Sequence, residues 1–295
     1  TYLKDLDIPK FSDSFCKTIN DIIVLNFSKL ESSKILYRQA DKILLDELSL
    51  YEWKPKQRLS FIKNFSATHA SDRIDAEYFQ PQYDELLSRI RRYKEGCKSL
   101  GEIVNLKNKN FQPQDEVSYR YIELANISAN GNLNGFIESL GKELPTRARR
   151  KVNDGDVIVS TIEGSLSSIA LITKDLDNAL CSTGFFVVNS KEINSETLFV
   201  LLKSLVGQLQ LKKGCSGTIL TAISDDEFRR ILIPCIPTSI QNDIKKKITE
   251  MYEARALSKS LLDIAKRGVE MAIEKNEKDA QNWINSELIK LDVKL

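Results

Sequence analysis

Histidine is almost missing from this sequence: His69 is the only one in 295 residues. An enzyme that relies on imidazole as its general base has one position to build around. The small polar residues beside it set up no Ser-His-Asp or Cys-His arrangement. The five cysteines (Cys16, Cys97, Cys181, Cys215 and Cys235) are odd in number and widely spaced, with no C-x-x-C pair. Neither a zinc site nor a disulfide framework is suggested, and buried free thiols in a reducing cytosol are the expectation. No two of the seven prolines are adjacent, so the Asn/Asp-Pro-Pro-aromatic signature of amino-methyltransferases is missing. There is no G-x-x-x-x-G-K-[ST] and hence no P-loop. No apolar run approaches the roughly 18 residues of a membrane span, so no membrane partner is expected. The opening "TYLKDLDIPKF" has charges where a signal peptide has its apolar core. The first residue is Thr rather than Met, which suits a fragment or a processed chain. Neither sign of charge dominates: 43 basic against 41 acidic residues leave a net charge of +2. Any attraction to nucleic acid must come from local clusters.

What the sequence does have is a long internal repeat. An ungapped overlay at an offset of 225 residues pairs Ile8 with Ile233, Pro9 with Pro234, Ile19 with Ile244, Ile23 with Ile248, Ser33 with Ser258, Leu36 with Leu261 and Ala40 with Ala265. Both copies are helical in pattern. In residues 12–50, Phe15, Ile19, Ile22, Leu30, Tyr37, Ala40, Leu44 and Leu48 recur at spacings of three, four or their sums. Asn26 and Ser33 fall on the same seam, as polar register markers do in a coiled coil. The second copy repeats this with Ile240, Ile244, Met251, Ala254, Leu257, Leu261, Ala265, Val269 and Ala272. Some 40 residues of helix make a rod of roughly 60 Å. Two such rods bury their seams by packing on each other. They run antiparallel if the segment between them is a compact domain whose ends meet.

Between the rods the texture changes. Residues 53–98 read as a linker, with a short strand around Phe61–Phe65 and a lead-in helix over Ala76–Arg92. Residues 99–235 carry short β-type runs, "YRYIELANI" (119–127), "DVIVST" (156–161), "IALIT" (169–173) and "GFFVV" (184–188), broken by Gly- and Asn-rich turns. One helix over 195–211 and a capped turn at Ser224–Phe228 follow. The expected fold is α+β: one mixed α/β domain plus two long helices packed as an antiparallel coiled coil. The expected divisions are 1–52 (helical repeat), 53–98 (linker and lead-in helix), 99–235 (α+β domain), 236–280 (second helical repeat) and 281–295 (tail).

Three stretches of the α+β domain carry binding chemistry. "KELPTRARRK" places Lys142, Arg147, Arg149, Arg150 and Lys151 within residues 142–151. Arginine contacts phosphates and can reach guanine edges in a major groove. "LKNKNFQPQ" (106–114) mixes Lys107 and Lys109 with amides able to read adenine. "LKKGCSGT" (211–218) sets Lys212 and Lys213 beside a glycine loop with Ser216 and Thr218. Against this, residues 100–235 hold 15 basic and 16 acidic residues, so the domain as a whole is not basic. By charge alone a solvated surface is the plainer reading, although recognition residues do gather on loops of a rigid scaffold. A protein–protein scaffold would have the same rods. Asp46, Glu52 and Lys54 have the residue types of a metal-dependent nuclease core, but they sit at a helix end, where E-x-K strings arise by chance.

The order of segments resembles one family closely. An I-P rod is followed by "SDRIDAEYFQPQYDEL" (71–86), "YIELANIS" (121–128), "ELPTRARRKVNDGDVIVSTIEGS" (143–165), "STGFFVV" (182–188), "GQLQL" (207–211), "GTI" (217–219) and a second I-P rod. This is similar to the specificity subunit of type I restriction–modification enzymes, and the resemblance covers nearly the whole chain. A full member alternates two target-recognition domains with two helical spacers. Here "YLKDLDIP" (2–9) resembles the last strand of a missing first domain and lines up with "FRRILIP" (228–234). The resemblance implies either a fragment or a half-length subunit that pairs with its own copy. It implies a cytoplasmic, non-catalytic subunit without a cofactor. Such a subunit reads one half of a split double-stranded DNA site, docks modification subunits that carry S-adenosylmethionine chemistry on adenine, and is joined by restriction subunits. The matched residues Gly155, Asp156, Gly184 and Phe185 read as scaffold. The candidate DNA contacts come from chemistry alone: Arg147, Arg149, Arg150 and Lys151, then Lys107, Lys109, Lys212, Lys213, Ser216 and Thr218.

Overall fold

A heptad of buried positions builds the first element. In α1 (Asp13–Glu47) the buried residues Phe15, Ile22, Asn26, Ser33, Ala40 and Leu44 follow one another at steps of seven or four. The Ser12 hydroxyl accepts from the Phe15 amide at 3.3 Å and caps the helix start. The computed structural model describes residues 9–128, 131, 133–217 and 221–295, so the expected strand at 2–8 lies outside the described residues. The chain gathers into two compact units, one of residues 1–39 with 246–295 and one of residues 40–245.

The first unit is helical. α8 (Thr238–Glu274) presents Met251, Ser258, Leu261, Ala265 and Ala272 to α1 at the same heptad steps. Asn26 donates to the Ser258 carbonyl at 2.5 Å and to its hydroxyl at 3.0 Å. Ile19 lies beside Gly268, so as α1 advances α8 recedes, and the two long helices pack antiparallel. Residues 281–295 were expected as a tail. Instead α9 (Glu277–Lys290) runs through most of them and buries Ala280, Ile284 and Leu288 against Phe15, Ile22, Leu261, Ile264, Ala265 and Ala272. The coil is thus a three-helix core at this point. Asn276 caps α9 by accepting from the Asp279 amide, and Glu277 accepts from Ser12 at 2.9 Å.

The second unit is the α+β domain. The strand expected around Phe61–Phe65 does not form: residues 61–64 have no regular structure, and α2 (Phe65–Ser71) starts at Phe65. α3 (Pro81–Arg91) starts at Pro81, because Pro needs no intrahelical N–H partner there. β1 (Cys97–Ser99), α4 (Leu100–Ile103), β2 (Val104–Leu106), β3 (Ser118–Ile122), β4 (Ile137–Leu140), β5 (Ala148–Lys151), β6 (Val157–Ser160), β7 (Ile169–Leu171), β8 (Leu180–Ser182) and β9 (Phe185–Ser190) come next. Two four-stranded sheets result, ordered β2-β9-β6-β7 and β4-β3-β8-β5. β6, β7 and β8 are wholly buried, and their apolar faces share one core with Ile122, Val152, Ile172, Phe185 and Val187. The helix expected over 195–211 is two, α5 (Ser195–Lys203) and α6 (Leu205–Gly214). Ser204 between them is extended, and its hydroxyl accepts from the Val206 amide and restarts the helix. β10 (Cys215–Ser216) and β11 (Ala222–Ile223) form a hairpin, followed by α7 (Asp225–Arg229) and β12 (Leu232–Pro234), which pairs with β1. The Gln241 side chain accepts from the Asn194 amide at 2.9 Å and donates to the Ile236 carbonyl at 2.9 Å. No helix among the described residues is long and apolar enough to cross a membrane.

Candidate nucleic-acid interface

The most basic stretch is not a loop. Residues 148–151 form β5, an edge strand, because its ladder comes from β8 and its outer side needs no apolar cover. Only Ala148 is buried, on Tyr121 and Leu180. Charged side chains on an edge strand also keep other chains from pairing with it. The register skips one residue: Ala148 faces Ser182, and Arg150 faces Cys181. Arg149 is the extra residue of that bulge, which turns its side chain out of the ladder. Its carbonyl accepts from the Phe111 amide at 2.7 Å. Its guanidinium donates to the Thr146 carbonyl at 3.0 Å and to the Gln112 side chain at 2.5 Å. Lys151 lies 5.6 Å from the centre of the Phe111 ring. Arg147 is exposed. Arg150 turns inward: its Nε and Nη1 are buried and meet no acceptor among the described residues. Burial pushes the neighbouring Cys181 thiol up, and the Arg150 charge opposes that shift.

Phe111 and Gln112 of the stretch 106–114 therefore lie against β5, and the two lysines of the stretch part company. Lys107 donates to Asp156 at 2.5 Å and to Asn153 at 2.8 Å. Asp156 is almost fully buried and also accepts from the Asn153 amide and from Asn189, both at 2.7 Å. Lys107 is thus the counter-ion of a buried carboxylate. Lys109 is exposed.

The third stretch is held by a segment with no site role in the sequence reading. Arg73 makes two hydrogen bonds to Asp75, at 2.6 and 2.7 Å, and donates to the Cys215 carbonyl at 2.9 Å. That pairing holds the Asp75 carboxyl below its ordinary range. Arg73 and Lys213 both lie over the Tyr78 ring, at 4.6 and 4.3 Å from its centre. Burial lowers the Lys213 ammonium. Lys212 pairs with Glu77 at 3.2 Å. Both lysines expected at DNA therefore fasten the end of α6 to residues 73–78. The motif "RIDAEY" was visible, but partners 135 or more residues away were not. Ser216 is exposed, and Thr218 lies outside the described residues.

Backbone bonds link β5 to the β10–β11 hairpin. Thr183 donates to the Arg147 carbonyl at 2.8 Å, Thr161 to Gly184 at 3.0 Å, Ile223 to Thr161 at 2.9 Å and Glu163 to Thr221 at 3.0 Å. Arg147, the 182–184 turn, the 161–163 turn and the hairpin therefore make one continuous edge. Of the nuclease residues, Asp46 is paired with Lys42 at 2.6 Å, while Glu52 and Lys54 are exposed.

The family model for the type I restriction modification DNA specificity domain matches residues 95–266, more than half of the chain. The chain belongs to this family. The match takes in both four-stranded sheets, β5, the hairpin and most of α8. Among curated members, the HindI specificity subunit of Haemophilus influenzae is 30% identical over 108 residues, which is 36% of this chain and 23% of that protein. Among solved specificity-subunit structures, the HsdS subunit from Thermoanaerobacter tengcongensis is 29% identical, with a TM-score of 0.47 over 60% of this chain and 46% of that one. The S subunit from M. genitalium is 14% identical, with a TM-score of 0.44 over 87% of this chain and 60% of that one. The chain thus spans under half of the first relatives it matches.

Proposed function

We propose that this chain is a non-catalytic sequence reader of a type I restriction–modification enzyme. It reads one half of a bipartite double-stranded DNA target, and its long helices hold modification subunits, which restriction subunits can join. The observation that carries this reading is the family match across residues 95–266. The β5 edge supports it physically. Arg147, Arg149 and Lys151, with Lys109 just before the Phe111 and Gln112 that meet Arg149, offer donors to phosphates and base edges. Arg150, on the same strand, turns inward and its buried Nε and Nη1 are not offered to a ligand. Ser216 belongs to the hairpin at the other end of that edge, and Thr218 is a candidate by its hydroxyl alone. Lys107, Lys212 and Lys213 shape the site through Asp156, Glu77 and Tyr78. The helices have the scale of a spacer: 35 residues of α1 and 37 of α8 make rods of about 50–55 Å, about one and a half turns of B-DNA.

The test is selection from a random DNA pool by the complex of this chain with its modification subunit. The expected result is a consensus containing a short, fixed half-site. Enrichment of bound DNA without any consensus would remove the reader role. A consensus unchanged when Arg147, Arg149 and Lys151 become Ala would move the reading surface away from β5.

A further inference from the structure

Residues 53–80 join α1 to α3, and they display the most exposed large apolar side chains among the described residues. Leu59 is 108% exposed, Ile62 96%, Phe65 82% and Ile74 90%. Solvated loops normally carry polar side chains at such positions, and clustered apolar exposure marks an interaction surface. α2, which starts at Phe65, has seven residues and buries none of them. A helix that short is not stable by itself, so neither its own length nor a core accounts for it.

The strap is nonetheless held in place along its inner side. The buried Gln80 side chain accepts from the Arg58 amide at 3.0 Å and donates to the Arg58 carbonyl at 3.0 Å, as a neighbouring strand would. Gln57 donates to Glu77 at 3.3 Å. Lys63 pairs with Asp84, and Arg58 lies 4.0 Å from Glu85. These anchors turn the strap's polar groups toward α3 and leave Leu59, Ile62 and Phe65, three residues apart, facing water. Residues 54–65 contain Lys54, Lys56, Arg58 and Lys63 and no acid. Lys54 and Lys56 are exposed and make no ion pair among the described residues.

We infer that residues 54–65 are a docking strap for a protein surface with an apolar furrow flanked by carboxylates, and that its occupant is the modification subunit. The choice of occupant rests on the proposed function. DNA fits the strap less well: three bare apolar side chains between the cations would face phosphates with nothing to bond. The carboxylate flank follows from the two lysines that make no ion pair among the described residues, and the apolar furrow from the exposed Leu59, Ile62 and Phe65.

The experiment measures binding of the modification subunit of the same system to the full chain. It uses wild type, Leu59→Ser/Ile62→Ser/Phe65→Ser and Lys54→Glu/Lys56→Glu. The expected result is a rise in Kd of about tenfold or more for the apolar variant. The charge variant is expected to bind several-fold more weakly, with a flatter salt dependence. All substituted side chains are exposed, so the melting temperature should stay within about 2 °C of wild type. If wild type binds and both variants bind equally well, the strap is not the dock, and the proposed function stands. If wild type does not bind the modification subunit, the proposed function fails and the occupant with it. Loss of DNA affinity with subunit binding intact would make the strap a nucleic-acid surface and overturn the inference.

Discussion

Asp156 is a buried carboxylate on which three polar contacts converge inside the α+β unit. It neutralises Lys107 and accepts from Asn189 and the Asn153 amide while almost fully buried. Asp156→Ala would leave the half-buried ammonium without its counter-ion, at a cost of about 3 kcal/mol. A lower urea midpoint with an unchanged slope would report it; an unchanged midpoint would mean the network contributes nothing. Asp41 is the opposite case. Burial raises its carboxyl from 3.8 to about 6, and its Oδ1 meets no donor among the described residues. The folded chain then binds that proton more tightly than the unfolded chain does. The associated stability is full below pH 3.8 and is lost as pH rises through about 6. Above that, the ionised group costs up to about 3 kcal/mol. Asp41→Asn should therefore raise the urea midpoint near pH 8 and leave it almost unchanged near pH 4. Asp156 was legible in the sequence as scaffold, from the family's Gly-Asp-Val run. Lys107 was not legible as its partner, because 49 residues separate them and only the pairing of β2 with β9 and of β9 with β6 brings them together.

Elements were legible where burial repeats. The seams of α1 and α8 follow heptads, so helix, antiparallel packing and the place of Asn26 on the seam could be anticipated, whereas its bond to Ser258 was not. α9 was not, because it contributes only Ala280, Ile284 and Leu288 to the core, among charges and amides that read as solvent-facing. β5 was illegible for the opposite reason. A strand that pairs by its backbone at a sheet edge leaves no apolar alternation to find, and "ARRK" reads as a loop. The break at Ser204 hid inside "LFVLLKSLVGQLQL" (198–211), which reads as one helix across Lys203 and Ser204. Gly268 shows how closely α9 is seated: a Cβ there would lie 2.6 Å from Ile284 Cδ1. Gly268→Val should force α9 away and destabilise the helical unit by about 2 kcal/mol, whereas the exposed Lys275→Ala should change it by less than about 0.5 kcal/mol. Thermal melts followed by helical circular dichroism separate the two; equal melting temperatures would mean that α9 does not pack on this glycine.

At the scale of the whole molecule, texture along the chain suggested consecutive segments, but the fold gathers residues 1–39 with residues 246–295. The repeat at an offset of 225 residues was the sequence sign that distant ends belong together. Charge at this scale gives the final prediction. With 43 basic and 41 acidic residues, the chain has almost no net field to draw DNA in. Affinity must then arise where cations converge, and their position matters more than their number. Two triple variants remove the same charge. Arg147→Ala/Arg149→Ala/Lys151→Ala strips the β5 edge, and Lys275→Ala/Lys278→Ala/Lys294→Ala strips exposed lysines of the helical unit. Each lost phosphate contact lowers the slope of log K against log salt by about 0.9, so the first variant should flatten it by about 1 to 3 units. The second should leave both slope and affinity near wild type, because its lysines are not part of the β5 edge. Binding isotherms on one duplex at several salt concentrations decide the matter. Equal losses in the two variants would make net charge, not the β5 edge, the source of DNA affinity.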